Sequence, residues 1–453
     1  MQTGGEQARS INHWQAAAIV AGSMVGVGIF INPHKVLGGV GGSGTAMLLW
    51  LFGGVAALCG AFCLAELATL MPRAGGEVVY LEEAYGKPFA FASGWLAILA
   101  VMTGSIATLT VANVSYQGPA LLGVDHLSRG QVAAISIGLV VALTALNHVG
   151  AKLSGSAQLM LAGIPMLVLL GGAIYGLTAA GGGSHLVDEL SRPGAFRWPT
   201  LAPLAAAYLP VYWTYAGWNS ATYVAGEIRE PRRGLPRALL LGTGAVTILY
   251  LLLNSGFLGI LGAKGVAGEF EAGSATAAAL FGSKARLAMT ALIAIAILSS
   301  TNGTVLGGSR IIYAMSTGGM FPRVGARLDP RFKTPTVALW LQAAWTSGLI
   351  LSAWLVHKDS VQLLLDYTTT AMLITGSLAV GAVVVLRSRR GNTAPADSYR
   401  TFAYPVTPFV FLVSSLGVLT LLLYEGKTAA WGGVGILAGA LLAGWLWTRA
   451  TRI

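Results

Sequence analysis

The stretch Gly22–Pro33 reads G-S-M-V-G-V-G-I-F-I-N-P and lies within the first long apolar run of the sequence. Each of its three glycines, at positions 22, 26 and 28, would weaken an isolated helix by about 1 kcal/mol. One interpretation is a packing face, because Gly22 and Gly26 are four residues apart. The other is an unwound segment, where bared N–H groups and the start of a half-helix bind an anion such as a carboxylate.

A second interrupted stretch, Trp213–Ser220, reads W-T-Y-A-G-W-N-S and lies in the middle of a later apolar run. It combines the small pair Ala216-Gly217 with three aromatic residues and one Asn. An aromatic belt is the alternative, although such belts lie at the membrane interface. Two broken helices in corresponding halves of a chain indicate the binding site of a transporter.

The composition indicates a membrane protein. The 453 residues are 55% hydrophobic and 10% charged, whereas a soluble chain would be about a quarter charged. The net charge of +11 does not indicate nucleic acid binding, because no Lys/Arg cluster alternates with aromatic residues. Cys59 and Cys63 share one helix face, and the six His show no metal-ligand spacing, so no metal or cofactor is expected.

Twelve apolar segments are long enough to span a bilayer, which takes about 20 residues. They are 14–37, 43–70, 86–113, 129–148, 153–178, 201–226, 237–262, 285–314, 335–356, 359–386, 403–424 and 428–448. With both termini in the cytoplasm, 19 of the 28 Lys and Arg residues lie inside, as the positive-inside rule requires. The longest stretches between spans, 179–200, 263–284, 315–334 and 387–402, are loop-sized with room for a short interfacial helix, so no soluble domain is expected. We expect a cell membrane protein, with the bacterial inner membrane as its location.

Five stretches together resemble the amino acid–polyamine–organocation superfamily, and most closely the light chains of heteromeric amino acid transporters and their bacterial relatives. They are Gly22–Pro33, Gly60–Leu67, Pro72–Leu81, Gly217–Asn219 together with Glu227–Pro236, and Ser299–Arg310. The resemblance implies an all-α membrane fold in which residues 14–178 and 201–386 form two inverted five-helix repeats, followed by two further helices at 403–448. It also implies transport by alternating access.

The resemblance further implies the roles of particular residues. The substrate carboxylate would meet the amides of Gly26, Val27 and Gly28, and its ammonium would meet the carbonyls of Met24, Trp213 and Ala216. The Trp213 side chain would close over the ligand, and Asn219 would border the pocket. This chain departs from many relatives at Val27, where a Ser is common, and at Ala216, where Gly is usual. Both departures affect the identity of the substrate more than its class.

Ionisable and hydroxyl residues within the spans are the candidates for gating or coupling. Glu66 and Glu227 lie near cytoplasmic span ends, where they would act in transport or pair with a nearby arginine such as Arg73 or Arg229. Asp366 would take up a proton or remain a solvated carboxylate.

The driving ion is a separate question. Ser299 and Ser300 would bind sodium or only pack between helices. The Lys that many sodium-independent relatives carry in the fifth span is absent, with Pro165 near its place. Uncoupled exchange is the third alternative.

These observations predict a carrier of neutral L-amino acids that works by exchange or facilitated diffusion, because no acidic residue is expected to face the pocket from the first, third or sixth span. An antiporter of cationic amino acids or polyamines is the alternative, since some such antiporters of the superfamily also place Trp at the Trp213 position. An intramembrane enzyme is disfavoured because no catalytic constellation lies in the spans, and a receptor would bring a soluble domain. A disulfide-linked heavy chain is not expected, because residues 114–129 contain no Cys. The partners are the amino acid and the membrane lipid.

Overall fold

The computed structural model describes residues 9–356, 360–390, 398–424 and 428–450. In this part of the chain the secondary structure is helical, with one isolated bridge between Ile11 and Ile228. The helices are α1 (His13–Met24), α2 (Gly28–Val40), α3 (Ser43–Leu70), α4 (Glu77–Tyr85), α5 (Lys87–Leu96), α6 (Thr103–Tyr116), α7 (Gly118–Leu122), α8 (Arg129–His148), α9 (Ala151–Thr178), α10 (Gly182–Ser191), α11 (Leu201–Thr214), α12 (Pro231–Gly268), α13 (Ala272–Phe281), α14 (Ser283–Thr317), α15 (Thr336–Val356), α16 (Ser360–Arg390), α17 (Val406–Tyr424) and α18 (Thr428–Ala450).

Ten helices in this part of the chain are long and apolar enough to cross a membrane, and α1 with α2 forms an eleventh span that is bent by 45°. One of the ten, α12, has a kink at Gly262, whose φ is +67°. A π-helical turn at Ala97–Met102 joins α5 and α6 into one of these spans. The predicted spans therefore agree with the structure to within a few residues at most positions. This is the all-helical fold of a multi-pass membrane protein.

The predicted sixth span, 201–226, is helical only as far as Thr214. Beyond α11 the chain forms turns and two short 3-10 segments, Ser220–Thr222 and Ala225–Glu227. The span is irregular because Gly217 adopts a φ of +104°, which no right-handed helix contains. The predicted interruption within Trp213–Ser220 is therefore present, whereas the predicted span 201–226 was wrong in implying that the helix resumes after it, because the residues beyond Gly217 form turns and 3-10 segments.

Short helices between the spans were only partly predicted. α10 and α13 lie in the stretches 179–200 and 263–284, where short helices were expected. α4 was missed, because nine residues with three glutamates do not stand out as an apolar run. It packs against α5 and α16, and this packing places its first residue inside the bundle.

Packing of the bundle brings the broken spans to its centre. α1 lies against α9, α12 and α14, while α11 lies against α2 and α17. A capping box formed by Asn12 and Gln15 starts α1, so its register is set well before the break. The interrupted segments are consequently enclosed by regular helices on several sides.

Candidate functional site

The first span breaks between Met24 and Gly28. The Gly26 amide donates to the Met24 carbonyl at 2.9 Å, which closes a tight turn where α1 ends. Among the described residues, the amides of Val27 and Gly28 donate to no acceptor. They stand at the start of α2, where unsatisfied N–H groups and the helix dipole favour an anion. Pro33 lies within α2 and does not cause the break.

The two breaks touch through their backbones. A Cβ atom on Gly217 would lie 2.8 Å from the carbonyl oxygen of Ser23 and 3.1 Å from the amide nitrogen of Met24. The positive φ and this close approach both require glycine at position 217. The site therefore depends on a contact between chain segments almost 200 residues apart in sequence.

Side chains hold the second half of the first span against α11. The Asn32 side-chain amide donates to the Thr214 hydroxyl at 2.8 Å and to the Pro210 carbonyl at 3.2 Å. A Cβ on Gly28 would lie 2.6 Å from that hydroxyl oxygen. Gly28 thus allows α2 to approach α11 closely at the point where its amide faces the break.

Tyr250 on α12 ties the two breaks together. Its buried hydroxyl lies 2.7 Å from the Met24 carbonyl oxygen and 3.2 Å from the Thr214 carbonyl oxygen. A hydroxyl has one proton, so the shorter contact is the main hydrogen bond. Sequence reasoning missed this residue, because a single Tyr in an apolar run carries no distinctive pattern.

One cavity lies where the breaks meet. Its walls come from both broken spans, α3, α4, the span formed by α5 and α6, α14, α16 and α17. Seven predicted site residues line it: Met24, Gly26, Gly28, Trp213, Ala216, Asn219 and Ser300. Val27 is buried and does not line the cavity.

Trp213 separates this cavity from a neighbouring depression. The residue lines both spaces, and the second one also contains Asn32, Lys35 and Pro203. The Trp213 side chain is 9% exposed, so the indole fills the wall between them.

The carbonyl groups predicted to meet an ammonium differ in availability. The Met24 oxygen accepts from Gly26 and Tyr250, and the Trp213 oxygen accepts from the Ala216 amide at 3.1 Å. The Ala216 oxygen has no donor among the residues described. Ala216 is therefore the acceptor that a ligand would reach without displacing a protein hydrogen bond.

A carboxylate that was not among the predicted site residues also reaches the cavity. Glu77, the first residue of α4, lines it and accepts a hydrogen bond from the Asn219 side-chain amide at 2.6 Å. The same nitrogen donates to the Tyr223 hydroxyl at 2.8 Å. Glu77 stands in the quoted stretch Pro72–Leu81, so an acid next to two glycines was the available signal.

Ser299 and Ser300 have protein partners. The Gln158 amide donates to the Ser299 hydroxyl at 3.0 Å and to its carbonyl at 3.1 Å, and Ser300 donates to the Ser23 carbonyl at 2.8 Å. The Gln158 oxygen accepts from Asn302 at 2.8 Å. These contacts favour the packing role for both serines. Gln158 stands seven residues before Pro165, and its amide network joins α9 to α14.

The two predicted gating glutamates form ion pairs, but with other arginines than expected. Glu227 pairs with Arg310 at 2.8 Å, and these side chains are 4% and 1% exposed. Glu66 pairs with Arg387 at 2.6 Å and also accepts from the Thr401 amide at 2.7 Å. Neither glutamate lines the cavity.

The expected neighbours Arg73 and Arg229 were wrong as partners because the folded chain brings α14 and α16 closer than the adjacent loops. The side chain of Asp366 lies outside the described residues. In the part of the chain that is described, no three His, Cys, Asp or Glu residues are grouped as metal ligands would be.

Comparison with known proteins agrees with this architecture. Residues 11–444 match the Amino acid permease family. The serine/threonine exchanger SteT of Bacillus subtilis (strain 168) is 29% identical over 409 residues, which cover 89% of each chain. The human b(0,+)-type amino acid transporter 1 is 26% identical over 383 residues, which cover 83% of this chain and 76% of the relative. The mouse Asc-type amino acid transporter 1 is 26% identical, over 88% and 73% of the two chains.

Two broken spans that meet at one enclosed cavity are what a carrier of small solutes requires, and the matched sequence covers both of them. The family consists of permeases and not of enzymes. On this evidence the chain belongs to the amino acid permease family.

Proposed function

We propose that this protein exchanges neutral L-amino acids across the cell membrane by alternating access. The observation that carries the proposal is the contact between the two breaks at one cavity. Gly28 and Ala216 line that cavity, where the Gly28 amide stands without an acceptor and the Ala216 carbonyl without a donor, and the adjacent amide of buried Val27 also has no acceptor among the described residues. A zwitterion needs donors for its carboxylate and acceptors for its ammonium group. The two helix breaks supply both without a charged side chain.

In this proposal the carboxylate binds at the start of α2, to the amides of Gly26, Val27 and Gly28. The Gly26 amide would exchange its bond to Met24 for one to the ligand. The ammonium group binds first to the Ala216 carbonyl, with those of Met24 and Trp213 as further acceptors. Asn219 borders the side chain of the ligand.

Trp213 is the gate in this scheme. Because it lines both the cavity and the adjoining depression, its indole is positioned to close the substrate off from one side. The ion pairs Glu227–Arg310 and Glu66–Arg387 are placed to hold elements of the opposite, cytoplasmic side together. Opening that side would require at least one of these pairs to separate.

The proposal also covers the arrangement of the helices in the membrane. Residues 14–178 and 201–386 form the two inverted repeats, and 403–448 form the additional helices. Both termini face the cytoplasm, in a bacterial inner membrane, and no heavy chain is attached by a disulfide. Cys59 and Cys63, both on α3, are the free cysteines of the described chain.

Antiport of cationic amino acids or polyamines is the second candidate, and one observation favours it. Glu77 places a carboxylate in the wall of the cavity, where a cationic side chain would find a counter-charge. Against this, its Oε1 atom already accepts from Asn219.

Exchange in proteoliposomes tests the proposal. Vesicles preloaded with unlabelled serine, threonine, alanine or leucine should take up labelled serine or leucine, and arginine-loaded vesicles should not. Uptake driven by arginine alone would establish the second candidate instead. Repeating the assay with sodium replaced by N-methylglucamine should leave the rate unchanged.

A pair of glycine variants tests the carboxylate site. Gly28→Leu places a side chain against Thr214, at the predicted anion site, and should abolish exchange. Gly38→Leu is the matched control, because Gly38 lies on the same helix, is exposed and has open space around its Cβ position. Normal exchange by Gly28→Leu would refute the site.

A further inference from the structure

Glu77 differs from the other buried glutamates of the described chain in having no cation beside it. Glu66 and Glu227 each pair with an arginine within 2.8 Å, and Glu189 pairs with Arg192 at 2.7 Å. Glu77 is 4% exposed, and among the described residues no ion pair includes it. An isolated ionised carboxylate is strongly disfavoured in such a place, and the usual remedy is to bind a proton.

The groups around Glu77 are polar but carry no positive charge. Asn219 donates to it, and the titratable groups nearest to it are the hydroxyls of Tyr80, Tyr212 and Tyr223. Tyr80 belongs to α4 itself, Tyr212 to α11, and Tyr223 to the irregular half of the sixth span.

The described cations on the helices packed against α4 are paired or exposed. Arg310 on α14 pairs with Glu227, and Arg387 on α16 pairs with Glu66. The others are exposed, as is Arg73 just before α4: Lys87 on α5, Lys284 and Arg286 on α14, and Arg389 on α16. Glu77 is also the one carboxyl group in the wall of the cavity, and that wall has no Lys, Arg or His among the residues described.

We propose that Glu77 is a proton-binding site facing the substrate cavity, and that its protonated form is the one that carries a neutral amino acid through the occluded state. The inference rests on the proposed function. A zwitterionic substrate has no net charge. When Glu77 is protonated, the occluded cavity and its substrate therefore have no net charge. With ionised Glu77 the same cavity closes around an uncompensated negative charge, which the low-dielectric interior opposes.

The same reasoning gives opposite pH dependences for the two substrate classes. Neutral substrates should be exchanged faster in acid, because protonation removes the charge that opposes occlusion. A cationic side chain would instead pair with ionised Glu77, so its exchange would be faster in alkali. The sign of the pH effect therefore distinguishes a proton site from a site for a substrate cation.

The test measures exchange of labelled serine or leucine in proteoliposomes with equal internal and external pH, between about pH 5.5 and about pH 8.5. Wild-type exchange should be at least about fivefold faster at the acid end, because the protonated fraction of a single site falls up to tenfold for each unit above its pKa. Glu77→Gln, which is permanently neutral, should exchange at the acid rate throughout. Glu83→Gln is the matched control, since Glu83 is exposed on the same helix, and should retain the wild-type profile.

Any other result refutes the proposal that Glu77 binds a proton. The proposal fails if the exchange rate of the wild type does not change with pH, or if Glu77→Gln is stimulated by acid as the wild type is. Acceleration in alkali together with arginine uptake would assign Glu77 to a substrate cation, and a requirement for sodium would assign it to that ion. Absence of exchange in the wild type at every pH would instead refute the proposed function itself.

A spectroscopic measurement keeps the inference testable if Glu77→Gln folds poorly. The infrared C=O stretch of a protonated carboxyl group should be present in the wild type near neutral pH and shift to lower frequency in D₂O. It should disappear in Glu77→Gln and persist in Glu83→Gln, and Glu77→Asp should retain it at a changed frequency. A wild-type spectrum without a protonated carboxyl band in acid would refute the proposal.

Discussion

Replacing Gly217 with alanine is the sharpest test of the contact between the two breaks. At a φ of +104° an alanine is strained by about 1–3 kcal/mol. Its Cβ would also lie 2.8 Å from the Ser23 carbonyl oxygen and 2.9 Å from the Ser23 carbonyl carbon, which are backbone atoms that cannot rotate away. The two effects together should disfavour the observed contact by at least about 2 kcal/mol, which is roughly a thirtyfold change in its population.

The assay is exchange of labelled amino acid in proteoliposomes, combined with thermal unfolding of the purified protein. Gly217→Ala should lower the exchange rate by about tenfold or more and lower the melting temperature. Gly244→Ala is the matched control, because Gly244 lies within α12 with nothing near its Cβ position. That substitution should be neutral or stabilise by up to about 1 kcal/mol. If Gly217→Ala exchanged and melted like the wild type, the two breaks would not need to touch during transport.

Three further predictions concern residues around the site. Tyr250→Phe removes the hydroxyl that donates to the Met24 carbonyl. It should reduce the free energy of unfolding by about 1 kcal/mol and slow exchange at least about twofold. Unchanged melting and exchange would show that this hydrogen bond does not hold the two breaks together. Arg310→Met leaves the Glu227 carboxylate buried without its partner and should destabilise the folded protein by about 3–5 kcal/mol. The double variant Arg310→Met with Glu227→Gln should recover much of this stability. Equal melting temperatures of the single and double variants would contradict the pairing. Burial raises the pKa of Glu271, between α12 and α13, above its ordinary 4.5, so the folded protein loses stability as pH rises through that raised value. Glu271→Gln should therefore melt higher than the wild type at about pH 8 and equally at about pH 4, and a higher melting temperature at both would contradict this cause.

Particular residues show how far sequence reasoning reached into the site. Both breaks could be predicted from the glycines at 26 and 28 and from the pair Ala216-Gly217. Glycine adopts backbone conformations that other residues avoid, so its position in the sequence indicates where a helix is interrupted. The family resemblance, and not these patterns, implied Met24, Trp213 and Asn219, which line the cavity. Val27 does not line it, since side-chain direction at a break depends on the dihedral angles of the turn.

Tyr250 and the true partners of Glu66 and Glu227 could not be predicted, and Glu77 was marked only by its place after two glycines, which does not show that it faces the cavity. Each lies far along the chain from the atoms it contacts, and no short pattern encodes such a pairing. The interruption of the sixth span at Trp213–Ser220 was predicted, but the apolar composition of the residues beyond it gave no sign that they form turns and 3-10 segments rather than a resumed helix.

The sequence by itself determined that the chain crosses a membrane many times, where its first and sixth spans are interrupted, and which family it resembles. These properties follow from hydropathy and local backbone preference, which act over about 20 residues or fewer. Only the tertiary structure decided that the breaks touch at Gly217, that Tyr250 ties them to α12, and that Glu77 faces the cavity without a cation. The physical reason is that burial, charge compensation and hydrogen bonding in a helical bundle depend on which helices become neighbours, and packing of the whole chain sets those neighbours.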